Sequence, residues 1–271
     1  MDNRPIGIYD SGIGGLTGLK ALRRLLPDED YVFFGDSGRM PYGPRPIDEL
    51  RRIAAQDMDF LAKFNVKAIL AACGTISSAA RPVLAAYPIP AFGVVDPALD
   101  AMAAVPGDKP LCIIATAASI HSGEFTDALA KRCGYSREII GVPCPEFAPM
   151  IEAGHIEPED PVLQDAVARA LAPLQGRELS ALLLGCTHYG VIETAIREAL
   201  PGVPLLSAAE CGASALRDRL AEDGLCAGRA EGGSARFYIS SDPEPFDAFA
   251  SRYLEIGPVR AERLPVMELS I

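Results

Sequence analysis

The chain has 271 residues, 49% of them hydrophobic and 23% charged, which is enough apolar material for a large core divided between two domains. Its formal charge of -11 at pH 7 excludes the basic surface that attracts nucleic acids or anionic membranes, so we expect neither as a partner. Seven cysteines without a Cys-x-x-Cys pair favour free thiols in a reducing compartment over a disulfide framework or a zinc site. Without a membrane-length apolar stretch or a signal-peptide core, the sequence predicts a cytoplasmic protein.

The first part of the chain alternates between short apolar strands and amphipathic helices. The patterns predict strands at residues 6–9, 31–34, 66–71 and 89–95, and helices at residues 16–26 and 47–64.

A glycine-rich turn, Asp10-Ser11-Gly12-Ile13-Gly14-Gly15, follows the first predicted strand. Thr17 stands where a dinucleotide fingerprint has its third glycine, and no glycine is followed by the Lys and Ser or Thr of a phosphate loop. No nucleotide site is therefore predicted. What remains is a carboxylate, Asp10, and a hydroxyl, Ser11, at the end of a strand. Further along, the rigid loop Pro41-Tyr42-Gly43 offers a phenol for a ligand.

The rest of the chain continues the alternation of strands and helices. The patterns predict strands at residues 111–115, 139–142, 181–184, 203–206, 237–240 and 259–264, and helices at residues 122–132, 161–174, 192–200 and 246–254. The chain is expected to cross to a second domain near residues 94–97. Because the strand at 237–240 would otherwise lack a sheet, we predict a first domain of residues 1–96 plus 208–271 and a second of residues 97–207.

A cysteine follows one predicted buried strand in each half of the chain. Cys73 follows the strand at 66–71 and Cys186 follows the strand at 181–184. Open α/β sheets bind ligands at the carboxyl ends of their strands, so we expect both thiols to line one pocket. Inverting a carbon that carries a hydrogen needs a base on one face and an acid on the other. Cysteine suits both roles, because its unperturbed pKa is about 8.5.

Simpler roles exist for several of these residues. Free cysteines are often small buried hydrophobes, Asp10 would also serve as a helix N-cap, and Glu152 could be a surface acid on a helix. His188 is two residues from Cys186, where an imidazole could tune or relay the proton of the thiol. No lysine stands in a context typical of a pyridoxal Schiff base, and no set of ligands suggests a metal, so we predict no cofactor.

Five motifs in this order resemble the cofactor-independent aspartate/glutamate racemase family over essentially the whole chain. They are Asp10-Ser11-Gly12-Ile13-Gly14-Gly15-Leu16, Gly35-Asp36 with Pro41-Tyr42-Gly43, Ala72-Cys73-Gly74-Thr75, Glu152 before Gly154, and Gly185-Cys186-Thr187-His188-Tyr189.

The resemblance implies two similar α/β domains with mainly parallel sheets flanked by helices, and an active site in the cleft between them. It implies racemisation of glutamate, to supply D-glutamate for peptidoglycan, by a homodimer without a cofactor. Cys73 is the expected base for the D-enantiomer and Cys186 for the L-enantiomer, with Asp10 near the first thiol and His188 and Glu152 near the second. The expected substrate-binding residues are Asp10, Ser11, Pro41, Tyr42, Gly43, Gly74, Thr75, Thr187 and His188.

The sequence departs from the family pattern at three positions. Gly74 stands where Asn is usual, Gly190 where Pro is usual, and Ser207 where Asp is common. Loss of a hydrogen bond to a charged group costs roughly 1.5–3 kcal/mol, enough to change affinity without removing the chemistry. Two alternatives follow from Gly74: a racemase or isomerase of another small amino acid or dicarboxylate, such as aspartate, and a binding protein that has lost turnover.

Overall fold

The strands of the protein form two separate parallel sheets. The computed structural model describes residues 1–229 and 232–266. Its strands are β1 (Ile6–Asp10), β2 (Tyr31–Gly35), β3 (Ala68–Ala71), β4 (Ala91–Gly93), β5 (Leu111–Ala115), β6 (Ile139–Pro143), β7 (Ala181–Leu184), β8 (Leu205–Ser207), β9 (Ala235–Ile239) and β10 (Glu262–Arg263). The first sheet has the order β10-β9-β2-β1-β3-β4, and the second has the order β6-β5-β7-β8.

Helices flank both sheets, which confirms the predicted α/β class. They are α1 (Leu16–Leu25), α2 (Ile47–Ala62), α3 (Gly74–Ala79), α4 (Arg81–Ala86), α5 (Val95–Ala103), α6 (Ala117–His121), α7 (Glu124–Arg132), α8 (Phe147–Glu152), α9 (Pro161–Leu171), α10 (Glu193–Ala199), α11 (Ala208–Glu222) and α12 (Pro243–Tyr253). Short 3-10 helices lie at Ile13–Gly15, Ser37–Arg39, Ala172–Leu174 and Thr187–Ile192. Within residues 1–229 and 232–266, none of the helices combines the length and the apolar character that crossing a membrane requires.

The central strands β1, β2, β3, β5 and β7 are buried along their whole length. Helices cover both faces of such strands, so their sequences are nearly continuous apolar runs rather than alternating ones. Because β1 and β3 are parallel neighbours, the residues that follow them meet at one edge of the first sheet. The neighbours β5 and β7 do the same in the second sheet. This arrangement places the strand-end residues of each sheet side by side.

Helix α11 was not predicted from the sequence. It packs against α1 and α5. Four of the six residues that it buries are small, namely Ala208, Ala209, Gly212 and Ala213, and the other two are Leu216 and Leu220. A Cβ at Gly212 would lie 2.7 Å from Val94 Cγ1, so the small residue allows the backbone of α11 to approach the start of α5. A face made of alanine and glycine lacks the strong apolar period by which helices are recognised.

Several predicted elements have different bounds in the structure, and two of the differences have a clear local cause. The strand predicted at 89–95 covers only β4, because Val95 already begins α5. The helix predicted at 122–132 begins later, at Glu124, and Gly123, in the left-handed region at φ 71°, separates it from α6. The strand predicted at 237–240 is β9, and it joins the first sheet beside β2 as expected. The division of the chain into domains at 96 and 208 stays a prediction.

A buried ion pair holds the amino-terminal edge of the first sheet. Lys67 Nζ lies 2.6 Å from Glu29 Oε2, and both side chains are buried. Lys67 also donates to the carbonyl oxygens of Asp2 and Leu225 at 2.6 and 2.8 Å, while Glu29 Oε1 accepts from Ala227 N at 2.8 Å. The pair therefore joins β3 to the start of the chain and to the segment after α11.

We predict that Lys67→Met destabilises the fold by about 3–5 kcal/mol, because it leaves the Glu29 carboxylate buried without its cation. The free energy of unfolding in urea measures the effect. Lys109→Met is the control, since Lys109 pairs with Glu178 on the surface, where ion pairs contribute little. Equal effects of the two substitutions would contradict the assigned role of the buried pair.

Candidate active site

A cavity of about 550 Å³ lies between the carboxyl edges of the two sheets. It gathers every predicted site residue except Asp10, which lies buried behind Ser11. The lining residues are Ser11, Met40, Pro41, Tyr42, Gly43, Pro44, Cys73, Gly74, Thr75, Thr116, Ala117, Ala118, Ser119, Pro145, Ala148, Pro149, Glu152, Gly185, Cys186, Thr187 and His188.

On the side of the first sheet, a thiol, a hydroxyl and a carboxyl group lie in a row. Cys73 follows β3, and its Sγ donates to Ser11 Oγ at 3.8 Å. Ser11 Oγ donates in turn to Asp10 Oδ1 at 3.4 Å, at the end of β1. Burial, reinforced by the charge of Asp10, raises the pKa of Cys73 to about 12. Burial also raises the pKa of Asp10, although the charge of His188 and the hydrogen bonds from Gly12 and Thr187 act in the opposite direction.

On the side of the second sheet, an imidazole lies between a thiol and a carboxylate. Cys186 Sγ is 3.7 Å from His188 Nδ1, and His188 Nε2 is 2.7 Å from Glu152 Oε1 at the end of α8. Burial opposes a charge on His188, but its contacts with Cys186 and Glu152 and the charge of Asp10 outweigh burial and raise its pKa well above the ordinary value. These contacts therefore favour the imidazolium form of His188.

The glycine-rich turn brings the first sheet into contact with this pair. Ile13 N donates to Glu152 Oε1 at 3.2 Å. A Cβ at Gly12 would lie 2.4 Å from Glu152 Oε1, and a Cβ at Gly14 would lie 2.4 Å from His188 Nδ1. The glycines are thus needed because the backbone approaches the His188–Glu152 pair too closely for a side chain.

A second acid also crosses between the sheets. Asp10 Oδ2 accepts a hydrogen bond from Thr187 Oγ1 at 3.1 Å, and Asp10 Oδ1 accepts from Gly12 N at 2.9 Å. A helix N-cap role alone does not account for the bond to Thr187, because this bond joins residues from different sheets. The two carboxyl groups, Asp10 and Glu152, therefore each bind a group from the opposite side.

The loop Pro41-Tyr42-Gly43 forms one wall of the cavity. The sequence suggested that Tyr42 offers its hydroxyl to a ligand. In the structure this hydroxyl instead donates to Asp36. Asp36 and Asp57 share the guanidinium of Arg39, with oxygen–nitrogen distances of 2.5 Å in both pairs. This buried cluster fixes the loop from behind, so its backbone is what the loop can offer to a substrate.

Gly74 and Ser207, two of the departures from the family pattern, have identifiable local contacts. A Cβ at Gly74 would lie 3.0 Å from the carbonyl oxygen of Gly185, so the loops that carry the two thiols approach each other backbone to backbone. Ser207 is the N-cap of α11, and its Oγ accepts from Glu210 N at 3.5 Å.

Several lining residues were not singled out from the sequence. Thr116 follows β5, the parallel neighbour of β7, so its strand-end position was a usable signal. Its Oγ1 lies 2.9 Å from Ser119 Oγ in α6. By contrast, Met40, Ala148 and Pro149 carry no chemical signal that would have separated them from ordinary packing residues. Within residues 1–229 and 232–266, no three His, Cys, Asp or Glu side chains are grouped as a metal site would need.

We predict that Gly14→Ala destabilises the fold by about 1–3 kcal/mol, because the new Cβ overlaps the ring of His188. Gly18→Ala is the control in α1, where a Cβ would make only ordinary contacts at 3.4 Å or more. Removing a helix glycine there should leave stability unchanged or raise it by up to about 1 kcal/mol. Thermal unfolding of both variants checks the difference, and a neutral Gly14→Ala would refute the close packing.

Comparison with known proteins identifies the family. A family model described as Asp/Glu/Hydantoin racemase matches residues 19–216. A glutamate racemase of Thermus thermophilus is 42% identical over 254 residues, covering 92% of this chain and 91% of the relative. One of Levilactobacillus brevis is 34% identical over 278 residues, covering 100% of this chain and 98% of the relative.

Solved structures agree with the sequence matches. Glutamate racemase from Francisella tularensis, crystallised in complex with D-glutamate, has a TM-score of 0.86 at 32% identity and covers 100% of this chain and 99% of its own. A glutamate racemase isoform from Bacillus anthracis has a TM-score of 0.89 at 30% identity, covering 98% of this chain and 99% of its own. The resemblance predicted from the motifs is confirmed, and the chain belongs to the Asp/Glu/hydantoin racemase family.

Proposed function

We propose that the protein interconverts L- and D-glutamate without a cofactor, with Cys73 and Cys186 as its two bases. The observation that carries the proposal is that two thiols from different sheets line one cavity. A racemase needs one proton-transfer group on each face of the α-carbon, and the relatives described above are glutamate racemases.

The two thiols have different electrostatic surroundings, which suits opposite protonation states. The raised pKa of Cys73 keeps it a thiol, able to donate a proton. The imidazolium of His188 lies against the sulfur of Cys186, where it balances the charge of a thiolate. In the direction from L-glutamate, Cys186 removes the α-proton and Cys73 delivers a proton to the opposite face.

Each thiol has a partner that can accommodate its change of charge. After Cys73 has given up its proton, Ser11 Oγ can turn its own proton from Asp10 to the thiolate and so stabilise the new charge. On the other side, His188 and Glu152 form the corresponding chain beside Cys186. We assign Asp10, His188 and Glu152 this supporting role.

Neutral groups must hold the substrate carboxylates, and His188 contributes only its charge, because both of its ring nitrogens face protein groups. Among the described residues that line the cavity there is no lysine or arginine. The hydroxyl of Thr75 and the backbone N–H groups of the 42–43 loop are the donors we assign to them. Ser11 and Thr187 line the same space, but each gives its single hydroxyl proton to Asp10. Donors placed in this way also stabilise the charge that develops on the α-carboxylate when the proton leaves.

The cellular role follows from the product. We propose that D-glutamate made by this protein supplies peptidoglycan synthesis in the cytoplasm, and that the protein is a homodimer. The seven cysteines are all free thiols in the structure, which suits a reducing compartment.

The first test is a proton NMR assay with L-glutamate in deuterated buffer, read together with circular dichroism and without added cofactor. We expect loss of the α-proton signal and decay of the dichroism. Cys73→Ser and Cys186→Ser should each slow both by roughly 100-fold or more, the range that general acid–base groups contribute. Cys133→Ser, outside the cavity, is the control. If the folded wild type shows neither loss of the α-proton signal nor decay of the dichroism, glutamate racemisation is refuted. Activity on aspartate alone would mean that Gly74 changes the substrate.

The second test uses the pH dependence of turnover. Turnover needs the imidazolium, so it should fall as the pH rises through the raised pKa of His188. Glu152→Gln removes a negative neighbour, lowers that pKa, and should move the decline to lower pH by about one pH unit. Glu146→Gln is the control, since Glu146 precedes the same helix but is exposed. If turnover of Glu152→Gln falls at the same pH as turnover of the wild type, the role of the His188–Glu152 pair is contradicted.

A further inference from the structure

We propose that Thr17, in helix α1, is a positioning residue that holds His188 against Cys186. The proposal rests on the proposed function, because it concerns the geometry of the thiol that acts on L-glutamate. Thr17 lies outside the cavity lining and touches no reacting group. It acts through the backbone of its neighbours.

The hydroxyl of Thr17 bridges the two sheets. Thr17 Oγ1 donates to the carbonyl oxygen of Gly14 at 2.7 Å and to that of Thr187 at 3.1 Å, and both contacts are buried. The first contact is a local bond three residues back, which threonines in helices often make. The second joins α1 to the loop after β7, so one proton is shared between two carbonyls from opposite sides of the cleft.

The carbonyl of Thr187 belongs to the peptide unit that continues into His188. Because a peptide unit is planar, a contact that fixes the carbonyl oxygen also fixes the backbone nitrogen and Cα of His188. On its other side the ring of His188 packs on Gly14, where a Cβ would lie 2.4 Å from Nδ1. Thr17 therefore holds both the residue that carries the imidazole and the residue on which the imidazole rests.

Gly190 provides the space for this side chain. A Cβ at Gly190 would lie 3.2 Å from Thr17 Cγ2 and 3.5 Å from Thr17 Cβ. The family usually has proline at this position, and a larger residue would press on the methyl group of Thr17. In this chain the departure from proline and the seating of Thr17 are thus parts of one local arrangement.

The test compares Thr17→Val, which keeps the shape and removes the hydroxyl, with Thr17→Ser, which keeps the hydroxyl. Thr126→Val is the matched control, because Thr126 makes the same bond three residues back, to Gly123, in α7 away from the cavity. Thr17→Ala, which has no γ atom to press on the carbonyls, is the second variant should Thr17→Val fold poorly. Thermal unfolding accompanies every variant.

The first readout is the pH dependence of iodoacetamide alkylation, followed for each thiol separately by peptide mass spectrometry. The titratable groups that face His188 are Cys186, Glu152 and Asp10. We expect Thr17→Val and Thr17→Ala to move the alkylation curve of Cys186 to higher pH and to leave that of Cys73 unchanged. Thr17→Ser and Thr126→Val should give the wild-type curves.

The second readout is glutamate racemisation. We expect kcat of Thr17→Val to fall roughly fivefold to tenfold, the effect of one lost hydrogen bond, while KM stays near the wild-type value. A wild-type alkylation curve for Cys186 in the folded Thr17→Val and Thr17→Ala variants would overturn the proposal, whatever their kcat. Because alkylation needs no turnover, it decides the role of Thr17 even if the wild type fails to racemise glutamate, a failure that would refute the proposed function alone.

Discussion

The close approach between the glycine turn after β1 and the His188–Glu152 pair is the contact on which the rest of the site depends. Ile13 N donates to Glu152. At Gly12 and Gly14 the turn approaches Glu152 and His188 so closely that there is no room for a side chain. The two sheets share no strand, so contacts of this kind fix the distance between the two thiol loops. A racemase needs that distance to be held, because both bases must reach one carbon.

The same contact organises the charges around the cavity. Each thiol begins a chain that ends in a carboxyl group: Cys73 through Ser11 to Asp10, and Cys186 through His188 to Glu152. The chains differ in their middle member, a neutral hydroxyl on one side and a cationic imidazole on the other. Burial and the charge of Asp10 raise the pKa of Cys73 despite the hydroxyl, and the imidazole of His188 faces the sulfur of Cys186. Two chemically equal side chains thus lie in different electrostatic surroundings.

The sequence predicted the strand-end residues better than the contacts between them. Cys73 and Cys186 follow apolar runs, so their meeting at a cavity could be expected from parallel strand geometry. The bond from Ile13 to Glu152 joins residues 139 positions apart, and the bond from Thr17 to Thr187 joins residues 170 apart. No periodic pattern encodes such pairings. Helix α11 was not predicted for a related reason. It packs largely through alanine and glycine, which allow its backbone to approach the neighbouring helices closely but form no strong apolar stripe.

The departures from the family pattern can be judged by the same criterion of close approach. Gly74 comes from the first sheet and faces the backbone of Gly185 on the second, while Gly190 comes from the second side and faces Thr17 on the first. Each departure removes side-chain volume where the two sides touch. A protein that only bound its ligand would have no need of the groups to which we assign proton transfer. Here both thiols line the cavity, and Asp10, Glu152 and His188 stand within hydrogen-bonding range of their partners. The small residues therefore fit the close packing of the two sides, and the two thiols with their partners favour a racemase site over a site that has lost its chemistry.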